Sequence, residues 1–362
     1  MFILSTYPNT RVMRILIVLA VASAILAGCG PARNVGSVRG TITDAVTLLP
    51  TDGAEVTLIS TAILTATTGS DGSYRLPSVA AGTYEVKVTK DGYVDRLGDG
   101  VTVTKSAATS VSMGMIRQAD LKVLVYDDSQ NHFAADALEA LGIAFTQVDT
   151  PDGLVDEMTN HAWHLIVADH CSYSSSEAML NCLADYVDMG GRLAISSWDP
   201  ADSASSRAHA LWGRLGADFS GFADDDVLDE DPFTVFRWAA DHEIFKSPNA
   251  VPDISVDYVG DYIVEGTVAH ESAGGTAVAG ITHAYQDGEG IVFVTDSKLT
   301  VFNSFLLDCT QDGTGAGADV DSDAEELWQN EIVYLLSWTD PSAAQCPPIG
   351  PSSLRAGASN SK

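Results

Sequence analysis

The sequence predicts two folds in tandem: an all-β sandwich over residues 37–115 and a doubly wound α/β domain over residues 119–340. Two patterns carry this expectation. In the first region, short runs rich in Val, Thr, Ile and Tyr alternate with glycine turns. In the second, strand-length apolar runs alternate with helix-length amphipathic stretches, the pattern of a parallel sheet covered on both faces. A third feature sets the compartment. An apolar N-terminal stretch follows a basic start and ends at a cysteine, which places both folds outside the cytoplasm.

Arg11 and Arg14 form the basic start, Ile15 to Ile25 the apolar stretch, and Leu26-Ala27-Gly28-Cys29 its end. Small residues followed directly by cysteine resemble the bacterial lipobox. The resemblance implies that residues 1–28 are a lipoprotein signal peptide, that Cys29 is the lipidation site, and that residues 29–36 are a lipid-anchored linker. The apolar run from Ile15 to Ala27 is 13 residues, short of the roughly 20 that a spanning helix needs. Gly30 stands where an aspartate retains some lipoproteins at the inner membrane, which favours the outer membrane if the cell has one.

Removing the signal leaves 17 basic and 49 acidic residues, a net charge of −32. Such a chain repels nucleic acid and anionic headgroups, so the expected partners are the membrane through the lipid and an envelope glycan or protein. Four further cysteines remain, Cys171, Cys182, Cys309 and Cys346, an even number in a compartment where disulfides persist. Proximity in sequence favours Cys171–Cys182 and Cys309–Cys346. No pair has the two-residue spacing of a zinc knuckle.

In the first region, Val56-Thr57-Leu58-Ile59, Tyr84-Glu85-Val86-Lys87-Val88 and Val101-Thr102-Val103 read as strands, with Tyr84, Val86 and Val88 on one face. Asp52-Gly53, Asp71-Gly72, Ala81-Gly82 and Asp91-Gly92 read as turns. The string from Val38-Arg39-Gly40-Thr41-Ile42-Thr43-Asp44 through Gly53-Ala54-Glu55-Val56-Thr57-Leu58, Asp71-Gly72-Ser73-Tyr74-Arg75-Leu76, Gly82-Thr83-Tyr84 and Gly92-Tyr93 resembles the carboxypeptidase regulatory-like domain. That family implies a transthyretin-like sandwich serving as a non-catalytic module of surface proteins.

In the second region the expected order is a strand at Leu121 to Tyr126, a helix at Ala134 to Leu141 and a strand at Ile143 to Val148. A helix at Gly153 to Thr159, a strand at His164 to Ala168, a helix at Ser176 to Met189 and a strand at Arg192 to Ser196 follow. A hairpin pairs Ala277 to Tyr285 with Ile291 to Thr295, and Glu325 to Trp338 is a closing helix. The tail, 341–362, is expected to be loose apart from Cys346. Leu183 to Leu193 with its Gly190-Gly191, His242-Glu243-Ile244-Phe245, Gly290 to Val294 and Asn330 to Leu336 resemble the class I glutamine amidotransferase-like fold, in its trehalose-utilisation-type branch. The resemblance implies a flavodoxin-like arrangement.

It also implies a cysteine on a strained, glycine-flanked elbow and a histidine base after a late strand. Here the elbow segment is Ile195-Ser196-Ser197-Trp198-Asp199-Pro200, and the segment matched to the base is Thr295-Asp296-Ser297-Lys298, so both catalytic residues are expected to be missing. In open α/β sheets the carboxyl ends of the strands line the ligand crevice. Asp127, Asp128, Asp169, His170, Ser197, Trp198 and Asp199 are the expected crevice residues, against the plainer reading that Asp and Ser cap the following helices. Ser197 acts as a nucleophile only if a histidine reaches it, with His170 the nearest by topology. Cys171 beside His170 is a second nucleophile candidate, set against a disulfide with Cys182. His242 reads as a packed structural residue.

No cofactor is expected. Calcium is the one weak candidate, at Asp319, Asp321 and Asp323, but Ala324 and Asn330 stand where a helix-loop-helix calcium site needs Gly and Glu. Asp323 capping the last helix, with Glu326 three residues on, accounts for the run as well. The acidic run 224–231 has no ligand spacing. Asp127-Asp128-Ser129 also resembles the opening of a von Willebrand A-type adhesion motif, with Asn131 in place of its second serine. Three function classes follow. The first is a lipid-anchored, non-catalytic envelope binding module. The second is a divergent hydrolase of an envelope glycan or amide, and the third a calcium-dependent surface adhesion protein.

Overall fold

The computed structural model describes residues 34–60, 63–128, 132–170, 175–202, 204–222, 233–256, 266–307, 320–338 and 342–347. Expectations for Cys29, Cys171, Cys309, Asp319 and the run 224–231 lie outside these residues.

The first region is a sandwich of two sheets. Strands β1 (Val35–Asp44), β4 (Ser73–Ala80), β7 (Ala108–Ser110) and β8 (Met113–Met115) form one. Strands β2 (Glu55–Ile59), β3 (Ile63–Thr67), β5 (Gly82–Thr89) and β6 (Arg96–Val103) form the other, in the order β3-β2-β5-β6. Alternation builds the core: Val38, Ile42, Val56, Leu58, Val86 and Val88 are all fully buried between the sheets. The Asp71-Gly72 turn needs its glycine. Gly72 has φ of 71°, and a Cβ there would meet the Ile42 carbonyl oxygen at 2.4 Å.

Asp44 ends β1 almost fully buried and collects donors from both sides. It accepts the Val46 and Thr47 backbone N–H groups, the Tyr93 hydroxyl at 3.2 Å and Arg117 Nε at 2.9 Å. Burial pushes its carboxyl up, but the bonds from Thr47, with Arg117 and Tyr93, outweigh burial and hold it below the usual range.

The second region is built on a nine-stranded sheet. Its strands are β9 (Val123–Asp127), β10 (Phe145–Val148), β11 (Leu165–His170), β12 (Leu193–Ser197), β14 (Phe233–Arg237), β15 (Ile254–Val256), β17 (Gly275–Gly280), β18 (Gly290–Thr295) and β19 (Thr300–Asn303). A two-stranded ribbon, β13 (Ala217–Asp218) with β16 (His270–Glu271), stands apart. The sheet order is β10-β9-β11-β12-β19-β18-β17-β14-β15, with the first five parallel and the rest antiparallel. Numbered along the chain, the parallel part runs 2-1-3-4-5, the flavodoxin-like order, with its switch point between β9 and β11.

Helices α1 (Phe133–Ala140) and α5 (Val320–Trp338) cover one face, and α2 (Pro151–Asn160), α3 (Glu177–Asp188) and α4 (Ala210–Arg214) the other. Thr150 and Ser176 cap α2 and α3 by accepting N–H groups from Gly153 and Met179. The expected hairpin forms as β17 and β18, with its first strand ending at Gly280.

Two expectations change. The disulfide joins Cys182 to Cys346, with Cα atoms 5.5 Å apart and a sequence separation of 164, instead of Cys171–Cys182 and Cys309–Cys346. Distance along the chain misled: Cys182 faces inward from the middle of α3, where the returning tail passes. The tail near Cys346 is therefore bound, with Ala344 bridging Trp163 and Gln345 donating to the Thr159 carbonyl. The closing helix also starts earlier than Glu325, at Val320.

The two regions share a core. Val94 and Ile116 of the sandwich pack among the α1 and α5 side chains. Arg96 on β6, 2% exposed, donates to the Gly114 carbonyl at 3.0 Å and reaches the last turn of α5, donating to the Ser337 carbonyl at 3.0 Å. A guanidinium there meets unsatisfied helix carbonyls and the negative end of the helix dipole.

Candidate functional site

The expected crevice lies at the carboxyl ends of β9, β11 and β12, and strand alternation splits its residues between two faces. Asp127 pairs in register with Asp169, Asp169 with Ser196, and Ser196 with Asn303. Register partners share a face. These four polar residues, all at most 1% exposed, thus form one row on the side covered by α1 and α5. Ser197 falls on the opposite face. The backbone of His170 pairs with Ser197, and the expectation for the His170 side chain lies outside the described residues.

Asp127 is engaged by a residue that sequence reasoning missed. His132, at φ 63° just before α1, places Nδ1 2.8 Å from Asp127 Oδ2, and Gln147 Nε2 lies at 3.5 Å. Asp128 accepts the Tyr126 hydroxyl at 2.8 Å. The one available signal was a histidine five residues after the strand-ending acid.

Ser197 is fully buried. Its hydroxyl donates to Asp199 Oδ2 at 2.9 Å and accepts the Asp199 N–H at 3.2 Å. Asp199 also accepts the Ser175 N–H at 3.0 Å and the Ser175 hydroxyl. This is the helix-start arrangement weighed as the plainer reading, since residues 199–202 form a helical turn. Trp198 is half-buried against the α1 and α5 core. Ser196, fully buried, donates to the Phe305 carbonyl at 2.7 Å and accepts the Leu307 N–H at 3.0 Å.

The segment matched to the missing base needs correction. Leu193 pairs with Thr300, and its N–H donates to the Leu299 carbonyl. Thr295-Asp296-Ser297-Lys298 therefore lies beside the start of β12, at the opposite edge of the sheet from Ser197. The chain that emerges beside Ser197 from the neighbouring parallel strand is Asn303-Ser304-Phe305. The antiparallel turn from β18 into β19 reverses the chain, and a linear match cannot see that reversal.

Asn303 is joined from α5 by Glu331. Both are fully buried, and Asn303 Nδ2 lies 3.1 and 3.2 Å from the two carboxyl oxygens. Burial pushes the Glu331 carboxyl up to about 8, only partly offset by Asn303. An acid inside the apolar run Leu327 to Leu336 was the sequence signal. His242 is a packed residue. Its ring lies tilted against Tyr334 with centroids 5.2 Å apart, its Nδ1 caps the Ile244 N–H, and burial, with Lys298, lowers it to about 4.

Asp321 and Asp323 lie on α5 and not in a loop. Asp323 is also inside the helix, not its cap. Among the described residues no group of three or more His, Cys, Asp or Glu is placed to hold a metal. A cavity of about 550 Å³ is lined by Arg207, His209, Trp212, Asp218, Phe219 and Phe222, and by none of the expected crevice residues. Its polar groups already serve the fold: Arg207 donates to the Pro200 and Phe222 carbonyls, and His209 caps the Leu211 N–H.

No curated protein matches the chain. Among solved structures, a glutamine amidotransferase from Thermotoga maritima is 13% identical, with a TM-score of 0.40 over 60% of this chain and 96% of that one. A cohesin–X-dockerin complex from Acetivibrio cellulolyticus is 33% identical, with a TM-score of 0.19 over 21% of this chain and 51% of that one. The minor pilin of Streptococcus agalactiae is 19% identical, with a TM-score of 0.20 over 24% and 46%. The chain spans about half the length of the last two, and at these scores the likenesses carry no argument about function. The profile of one family matches part of the chain, so that residues 37–115 are a carboxypeptidase regulatory-like domain.

Proposed function

We propose that this chain is a lipid-anchored cell-envelope protein, held through Cys29, whose α/β domain is a binding module and not a glutaminase. The observation behind the second half is Ser197. Its hydroxyl is buried and committed to Asp199 as donor and acceptor, so it serves the start of a helical turn. A buried hydroxyl tied up in the cap of a helical turn is a poor nucleophile at neutral pH. The anchor rests on Leu26-Ala27-Gly28-Cys29. Its expected setting is the cell envelope, the outer membrane ahead of the inner one where the cell has both, with an envelope glycan or protein as partner and no nucleic acid.

The test is labelling of the full chain with a fluorophosphonate probe, alongside a glutaminase assay. Neither label nor ammonia release is expected. Labelling that disappears in Ser197→Ala would overturn the reading. Binding is followed by quenching of Trp198 fluorescence with envelope glycan fragments, using Trp198→Phe as the control.

A second reading, a divergent hydrolase acting on an envelope glycan or amide, is favoured by one contact. His132 is oriented at the switch point by the buried Asp127 carboxylate at 2.8 Å, the way a carboxylate orients a histidine base. Turnover of cell-wall fragments that His132→Ala abolishes would establish it over the first.

A further inference from the structure

We propose that the end of the β-sandwich from which the lipid linker emerges rests on a phospholipid bilayer and holds the α/β domain away from it. The inference builds on the reading of Cys29 as a lipid anchor. The point of emergence is set by hydrogen bonds. The Asn34 carbonyl accepts the Ala81 N–H at 2.8 Å, and the Val35 carbonyl accepts the Ser106 N–H at 2.8 Å. The linker therefore leaves between the turn at 80–82 and the turn at 104–107. Five residues, 30–34, separate Cys29 from Val35, a reach of roughly 20 Å at full extension. A sandwich tied so closely to an acyl chain stays at the membrane surface.

The chemistry of that end fits a bilayer. Its two turns, Ala80-Ala81-Gly82 and Thr104-Lys105-Ser106-Ala107, carry one lysine and no acid. The β2–β3 hairpin turns at the same end, because Ile59 pairs with Ile63 and, across the sheet, with Glu85 of β5. Ile63 there is 71% exposed. The linker contributes Arg33, and the first acid of the whole chain is Asp44, at the far end of β1. The acids nearest to the turns along the strands are Glu85 and Asp99, three and four residues in.

Charge is divided in the same direction. Residues 37–115 hold 8 acidic and 6 basic residues, a net charge of −2, whereas residues 119–340 hold 41 acidic and 7 basic, a net charge of −34. The acidic domain docks on the far end, through Val94, Ile116 and Arg96. That is roughly 30 Å from the linker by the rise of β1, several Debye lengths at physiological salt. Lying flat would bring the acidic domain against anionic headgroups, while standing upright presents the near-neutral end. The repulsion expected from total charge thus belongs to one domain and becomes an orienting force.

The test uses acylated full-length protein on vesicles of phosphatidylethanolamine and phosphatidylglycerol carrying dansyl-labelled lipid. All six tryptophans lie in residues 119–340, so energy transfer to the lipid reports the height of that domain. Flotation with the vesicles, weak transfer, and slower amide exchange over 80–82 and 104–107 than in soluble Cys29→Ser support the proposal. In the double variant Ala81→Glu, Lys105→Glu, transfer is expected to rise several-fold at low salt and to fall back at high salt. Flotation with strong transfer and unprotected turns overturns the orientation and leaves the anchor intact. Failure to float, with an unmodified N-terminal mass, overturns the anchor and the orientation with it.

Discussion

The sandwich and the α/β domain bury acids in opposite ways. Asp44 at the end of β1 sits among two backbone N–H groups, a tyrosine hydroxyl and Arg117, so it is stabilised as an anion. Among the described residues, Glu331 in α5 is bonded by the amide of Asn303 alone, and burial holds it neutral. The first acid sits at an edge where the chain can wrap donors around it. The second sits on the face of a helix already bonded to itself, where side chains alone can answer it. The α/β domain carries almost all of the net charge, and it also keeps one carboxyl silent in its core.

The largest effect that tests this comparison concerns the covalent tie. Closing a 164-residue separation between Cys182 and Cys346 is worth up to roughly 5 kcal/mol in the chain-entropy account. Cys182→Ser with Cys346→Ser should therefore lower the melting transition of the α/β domain strongly. An unchanged transition would mean that packing alone holds the tail.

Next comes the pH dependence of Glu331. Its folded pKa, about 8, lies above the ordinary value of 4.5. Its stabilising contribution is complete below about pH 4.5 and is lost progressively up to about pH 8, because over that window the unfolded chain gives up the proton and the folded one keeps it. Denaturant unfolding should show stability falling by a few kcal/mol across this range, and Glu331→Gln should flatten the slope. Asp44→Asn works in the other direction, its stabilisation present at neutral pH and lost in acid. An unaltered slope in Glu331→Gln would place the titration elsewhere.

A smaller effect is expected at the seam. Arg96→Met removes charge-assisted bonds to the end of α5, worth about 1.5–3 kcal/mol. It should split one calorimetric transition into two if the shared core depends on that contact. His164 and His242 supply the acid limb. Burial lowers both to about 4, so their contribution is present above about pH 6.5 and lost as pH falls toward 4. His164→Gln should soften that limb slightly. The smallest effect belongs to the exposed Lys246–Asp241 pair, where solvent screens the attraction and Lys246→Ala should leave the unfolding midpoint almost unmoved.

Much of the architecture was legible in the residues. Glycine turns and period-two alternation marked the sandwich because each depends on local backbone geometry and on one wet face. The β-α-β alternation and the hairpin into β18 were legible for the same reason. The site was less so. Asp127, Asp169, Ser197 and Asp199 do stand at the carboxyl ends of their strands, but sequence order does not say which strand adjoins which. The row through Ser196 and Asn303 to Glu331 joins residues more than a hundred positions apart.

What the sequence by itself determined is the division into two folds and the charge carried by each part, since composition and local periodicity need no partner. The tertiary structure alone decided the Cys182–Cys346 bond, the displacement of Thr295 to Lys298 to the far edge of the sheet, the contact between His132 and Asp127, and the grip of Arg96 on α5. Each of these depends on where a reversed or returning chain comes to lie. That is set by packing summed over the whole molecule, and no local window of residues contains it.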